Sequence, residues 1–133
     1  MSKLFDLKFL FTVVAIVEFF YAAFALLTPP SFVLPLTGWV LNADGQWIVK
    51  LMGASLAFQA LIAWNFRKNP LLVVASALAF YQILAATVDW VMWISLLNEG
   101  IFSTQLSKIT VGFSIFLHYL LGILLVIGIL KRR

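Results

Sequence analysis

The chain has 133 residues, 64% of them hydrophobic and 11% charged, with a mean hydropathy of +1.09. Nine basic and five acidic side chains cannot cover a water-soluble surface of this size without large exposed apolar patches. That excludes an ordinary soluble domain, a disordered chain and a coiled coil. The formal net charge is +4, but the basic residues fall at segment ends rather than on one face, a membrane-topology signal and not a nucleic-acid surface. With no cysteine there are no disulfides, thiolate metal sites or thiol chemistry. The expected class is an all-α integral membrane protein folded as one four-helix transmembrane bundle.

Four apolar segments follow in chain order, at about 9–28, 47–66, 71–97 and 109–130. Each is near the roughly 20 residues that cross a bilayer core, and none alternates with period two, which leaves helices. The first carries a lysine-bearing start but exceeds a signal-peptide core and contains Glu18, so a transmembrane helix is expected. It stops at Thr28-Pro29-Pro30. Residues 29–46 form an apolar outer loop rich in Phe32, Val33, Leu34, Leu36, Trp39, Val40 and Leu41, in which Pro35 and Gly38 bar a long helix. This loop is expected to cover the outer end of the bundle. The Arg67-Lys68-Asn69-Pro70 turn is short, which predicts that the second and third helices are antiparallel neighbours.

Lys3, Lys8, Arg67, Lys68, Lys131, Arg132 and Arg133 fall on one side of a four-crossing chain, and Lys50 and Lys108 on the other. Seven against two predicts that both termini are cytoplasmic. Trp39, Trp47, Trp90 and Trp93 then lie at the outer interface and Trp64 at the inner one. A bacterial or archaeal inner membrane is the expected location.

Polar residues at membrane depth carry the functional information. At 1.5 Å per residue, Glu18 and Gln82 lie about 14 and 17 Å from the cytoplasmic edge. Gln59 and His118 lie about 18 and 14 Å from the outer edge. One such residue per helix therefore shares a midplane layer, and polar groups there face the interior and need partners. Ala15, Glu18, Ala22 and Ala25 share one helical face, as do Ala75, Ala79, Gln82, Ala86 and Asp89. Glu18 and His118 are the acid–base candidates, expected to face each other across a cavity. Tyr21, Ser55, Gln59, Tyr81, Gln82, Ser114 and Tyr119 are the expected ligand contacts around them. Lys50 and Asp89, each about one turn inside the outer edge, are expected to form an ion pair between the second and third helices. Packing alone is the competing account of every one of these positions.

One histidine without cysteine builds no zinc site, and a bis-histidine haem within one chain is excluded. No cofactor is named by any motif, and no phosphate loop or nucleophile elbow occurs. Chain size, the Pro-ended first helix and the stretch Lys50-Leu51-Met52-Gly53-Ala54 opening the second helix together resemble small four-helix bacterial membrane proteins of the DoxX-like group. The resemblance covers the whole chain in outline. It implies a four-helix membrane domain and, from the family's characterised members, association with quinone-linked oxidoreductases, with no catalytic residue carried over. Ala15-Ile16-Val17-Glu18 is similar to the first helix of small multidrug-resistance transporters, whose glutamate exchanges protons for cationic drugs. The outer loop, His118 and the lack of a Gly-rich bend in the third helix depart from that pattern.

The expected function is binding of a small apolar or amphipathic molecule (a quinone, lipid or isoprenoid) in a polar midplane cavity. The alternatives are an assembly subunit of a membrane complex, an intramembrane isomerase or cyclase acting on a lipid, and a small proton-coupled transporter. Membrane lipid is the expected surrounding partner. The Gly53-Ala57-Ala60 face offers a homodimer contact.

Overall fold

The computed structural model describes residues 5–132, so Lys3 and Arg133, two of the basic residues counted for orientation, lie outside the described residues. Among the described residues the elements are five α-helices and a 3-10 turn between the last two, with no strand. They are α1 (Leu7–Leu27), α2 (Pro30–Thr37), α3 (Ala43–Phe66), α4 (Leu72–Leu96) and α5 (Gln105–Arg132), the 3-10 turn being Gly100–Phe102. Four of them, α1, α3, α4 and α5, are long and apolar enough to cross a membrane. At most 39% of the most apolar stretch in any of these four is buried, so most of their apolar surface faces outward.

Side-chain caps set the boundaries. Asp6 accepts from the Lys8 amide at the start of α1, and Thr28 ends it where Pro29 and Pro30 supply no further amide donors. Asn42 accepts from the Gly45 amide at 2.7 Å, starting α3 four residues before the apolar segment begins. Thr104 and Ser107 cap α5 reciprocally: the Ser107 amide donates to Thr104 Oγ1 and the Thr104 amide to Ser107 Oγ. The connection after α1 is not a loop throughout. Pro30 pre-sets the first turn of α2, and Gly38, left-handed at φ 73°, ends it. A Cβ at Gly38 would collide with Thr104 Oγ1 and stand 2.6 Å from the Ser107 amide, so α2 is seated directly on the start of α5. Thr104 and Thr110 hydroxyls donate to the Gly38 and Thr37 carbonyls across this joint.

The long helices pair as α1 with α3 and α4 with α5. This corrects the expectation that α3 and α4, joined by a short turn, are close neighbours along their lengths. The reason lies in the glycines. Gly53 of α3 lets the chain approach α1 until an added Cβ would meet Ala25 Cβ at 2.9 Å, and Gly122 of α5 does the same against Ile83 Cγ1 of α4 at 2.7 Å. Of the Gly53-Ala57-Ala60 face offered for a homodimer, Gly53 and Ala60 are buried within the chain and Ala57 is half-buried. Two apolar clusters result. The first, at the end carrying both termini, draws on all four long helices through residues such as Phe11, Ala63, Leu78 and Leu125. The second, at the α2 end, is built from Ala86, Phe102, Val111 and Ile115 with Trp39 and Trp93 packed on it.

Gly122→Ala is expected to lower stability by about 1–3 kcal/mol through overpacking against Ile83, seen as a lower melting temperature in detergent. Gly112→Ala is the control, since its added Cβ meets only the Trp93 ring at 3.5 Å, an ordinary contact. Equal tolerance of both changes would show that Gly122 does not set the α4–α5 spacing.

Candidate functional site

Between the two clusters lies a polar layer, one residue from each long helix: Glu18, Gln59, Gln82 and His118. The spacing explains the separation. On α4 the buried stripe runs Ala75, Leu78, Ala79, then Gln82, then Ala86, and on α5 Val111 and Ile115 precede His118 while Leu121 and Leu125 follow it. Gly122, one turn beyond His118, brings α5 close enough that its Cβ position lies 3.3 Å from Gln82 Cβ. The close approach places His118 against the Gln82 amide.

Glu18 and His118 belong to one arrangement, but they do not touch. Gln82 stands between them. Its Nε2 donates to Glu18 Oε1, and His118 Nδ1 meets its Oε1 at 2.5 Å. Glu18 and Gln82 are fully buried, whereas His118 is only partly so. With its NH2 directed at Glu18 Oε1, the amide presents its oxygen to His118. That oxygen in turn needs a donor, which requires the proton on His118 Nδ1 and leaves Nε2 as the available basic nitrogen. Gln82, an expected ligand contact, thus joins the two acid–base candidates and bears on the tautomer of the histidine.

The tyrosines divide. Tyr21 of α1 stacks on the His118 ring at 6.5 Å between centroids, and Tyr81 of α4 meets it edge-on at 6.4 Å. The Tyr21 hydroxyl approaches Ser114, and that of Tyr81 approaches Gln59. Tyr119 faces away from the layer instead. Its hydroxyl lies 3.1 Å from Thr87 Oγ1, and its ring packs on the second apolar cluster. Ser55 is exposed, outside the layer, although it lies one turn from buried Gln59. Two oxygens of the layer have no hydrogen-bond partner despite full burial: Glu18 Oε2 and Gln59 Oε1. In an apolar interior each such group costs about 1–3 kcal/mol. A groove of about 310 Å3 is lined by Ser76, Ala79 and Ile129, and a small recess by Thr28, Val33 and Lys50, both away from the layer.

Lys50 and Asp89 are not brought together. Lys50 Nζ donates to the carbonyls of Ala25, Leu26 and Thr28 at 2.9, 3.0 and 2.9 Å, using all three of its protons. Because α3 packs on α1 rather than on α4, the ammonium meets the C-terminal end of α1, where Pro29 and Pro30 leave carbonyls without amide donors. Asp89 stays half-buried on α4, two turns from Gln82 on the same face. The Pro-Pro pair after α1 was the sequence signal for this cap, since carbonyls it strands need a cation or donor from elsewhere. Among the described residues no group of three or more His, Cys, Asp or Glu side chains is placed to hold a metal.

No protein-family model, no curated protein and no solved structure matches the chain.

Gln82→Leu is expected to cost about 2 kcal/mol or more, because it strands Glu18 and His118 together. Glu18→Gln keeps an acceptor for the Gln82 amide and costs less. Thermal melts of both variants in detergent check the order. In the same assay Lys50→Met lowers stability by about 1–3 kcal/mol, and combining it with Asp89→Asn adds the two effects within about 0.5 kcal/mol. Strong coupling in that cycle would restore the ion pair.

Proposed function

We propose that the chain is an integral membrane protein that holds one small apolar or amphipathic molecule, a quinone, lipid or isoprenoid, against its polar midplane layer. The four long helices cross the bilayer, both termini lie in the cytoplasm, and the membrane is the inner membrane of a bacterium or archaeon. Outward-facing apolar surface on all four helices supports insertion, and the excess of Lys and Arg at the termini end supports the orientation. Membership of the DoxX-like group, on outline, is part of the same proposal.

One observation carries the ligand reading. Glu18 Oε2 and Gln59 Oε1 are buried acceptors without partners, beside a half-open imidazole framed by two tyrosine rings. A molecule that brings a hydroxyl to this layer satisfies what the helices leave unsatisfied, and its apolar body lies in the lipid outside Tyr21 and Tyr81. His118 Nε2 is the basic nitrogen such a hydroxyl would meet, and this equips the layer for acid–base chemistry on the bound molecule.

A second reading has its own support. The Glu18–Gln82–His118 bridge by itself locks α1 to α4 and α5, as an assembly subunit needs. Solvent extraction of the purified protein, followed by mass spectrometry, separates the two. Ligand binding is expected to give one stoichiometric apolar compound with the native chain, reduced at least fivefold in Gln59→Leu and His118→Ala. A compound-free native chain that is stabilised by Gln59→Leu, the orphan oxygen having been removed, would establish the subunit reading. For orientation, reporter fusions at the C-terminal end and after Gly100 are expected to report inside and outside respectively.

A further inference from the structure

The groove between α4 and α5 is lined by none of the four residues of the polar layer. Ser76, Ala79, Phe80 and Ile83 line it from α4, and Val126 and Ile129 from α5. Ser76 is the one polar side chain among these six, and the volume of about 310 Å3 falls at the lower end of small-molecule sites. From Ser76 to Ile83 it runs along roughly 10 Å of helix. Small side chains at Ser76 and Ala79 make the depression, and the neighbouring Phe80 forms its wall.

At the termini end the groove meets positive charge. Arg132 lies one turn beyond Ile129, and its Nη1 donates to the Pro70 carbonyl at 2.6 Å, fixing the guanidinium across the α4–α5 mouth. Its side chain is exposed, and a guanidinium has further donors beyond the one used. Lys131 is held over the Phe5 ring and Arg67 over the Trp64 ring, and among the described residues neither forms an ion pair with a carboxylate. With Lys8 and Lys68 they make five basic residues at this end, against Asp6 as the one acidic residue there among the described residues.

We infer that this groove is a binding site for an anionic phospholipid, one acyl chain lying along Ala79 and Val126 and the phosphodiester meeting the Arg132 guanidinium. An apolar channel accepts any acyl chain, so the groove alone does not choose a lipid. The choice comes from the mouth. Arg matches phosphate oxygens in a forked geometry, and the surrounding cations favour a headgroup with net negative charge over a zwitterionic one. The site is independent of the midplane ligand but rests on the chain residing in a bilayer.

Delipidated native protein in detergent, titrated with phosphatidylglycerol and with phosphatidylcholine of matched chains, tests it by native mass spectrometry. One phosphatidylglycerol is expected to be retained about fivefold more strongly than phosphatidylcholine. Arg132→Gln removes that preference and leaves phosphatidylcholine binding unchanged, Arg132→Lys retains most of it, and Ser76→Trp fills the groove and weakens both lipids. Circular dichroism in detergent confirms folding, and if Ser76→Trp does not fold the exposed Arg132 pair decides alone. Equal binding of the two lipids, or a preference that survives Arg132→Gln, overturns the site. So does a dimer split by Ser76→Trp with lipid preference intact, which would make the groove a contact between copies. Alkaline carbonate extraction is read in parallel: release of the chain from membranes refutes the bilayer reading, whereas a retained chain without lipid preference refutes only the groove.

Discussion

An amide held between a carboxylate and an imidazole has one satisfactory orientation when all three groups are out of water. Gln82 is in that position, donating to Glu18 and accepting from His118. Rotating α1, α4 or α5 by one residue about its axis would strand at least one of these groups in an apolar interior, where hydrogen bonds are strong and missing ones costly. The bridge therefore determines the rotation of three helices at once, as well as the proton position on the histidine. The two apolar clusters on either side add cohesion, but apolar contacts are non-directional and would tolerate sliding that the amide does not.

That bridge depends on distances that only small residues allow. Gly122 brings α5 onto α4 at the level of Gln82, and Gly53 brings α3 onto α1 near its C-terminal end. The second contact leads to a further consequence. With α3 pressed against α1, Lys50 reaches the carbonyls that Pro29 and Pro30 leave open, and its charge is spent on a helix end instead of on Asp89. Asp89 is left half-buried on the face that leads from the α2 end toward the tyrosines and the layer.

Under the proposed membrane reading, the two halves of the molecule do different things. The termini end is a core shared by all four long helices, with basic residues around its rim and the α4–α5 groove on its flank. Toward the α2 end the apolar cluster belongs to α4, α5 and the connections, and contains no residue of α1 or α3. The polar layer lies where one arrangement gives way to the other. Its orphaned oxygens lie on α1 and α3, and its aromatic-framed imidazole lies on α5.

Hydropathy and helical period were enough to mark the four long helices, because an apolar run of that length has few other backbone solutions. Depth counting was enough to place Glu18, Gln59, Gln82 and His118 in one layer, because rise per residue is a local constant. Boundaries were less legible: the Asn42 cap and the Thr104–Ser107 box extend α3 and α5 into polar sequence that hydropathy discounts. Which helices pair, and which polar groups meet, could not be read along the chain at all. A short turn between α3 and α4 holds two helix ends together but does not oblige their faces to pack. Gly53 and Gly122 gave closer contact to other partners, which sent Lys50 to α1, exposed Ser55 and turned Tyr119 to Thr87. Period and depth are properties of one helix, whereas azimuth relative to a neighbour is set by three-dimensional packing, and the order Glu18, Gln82, His118 is a fact about azimuth.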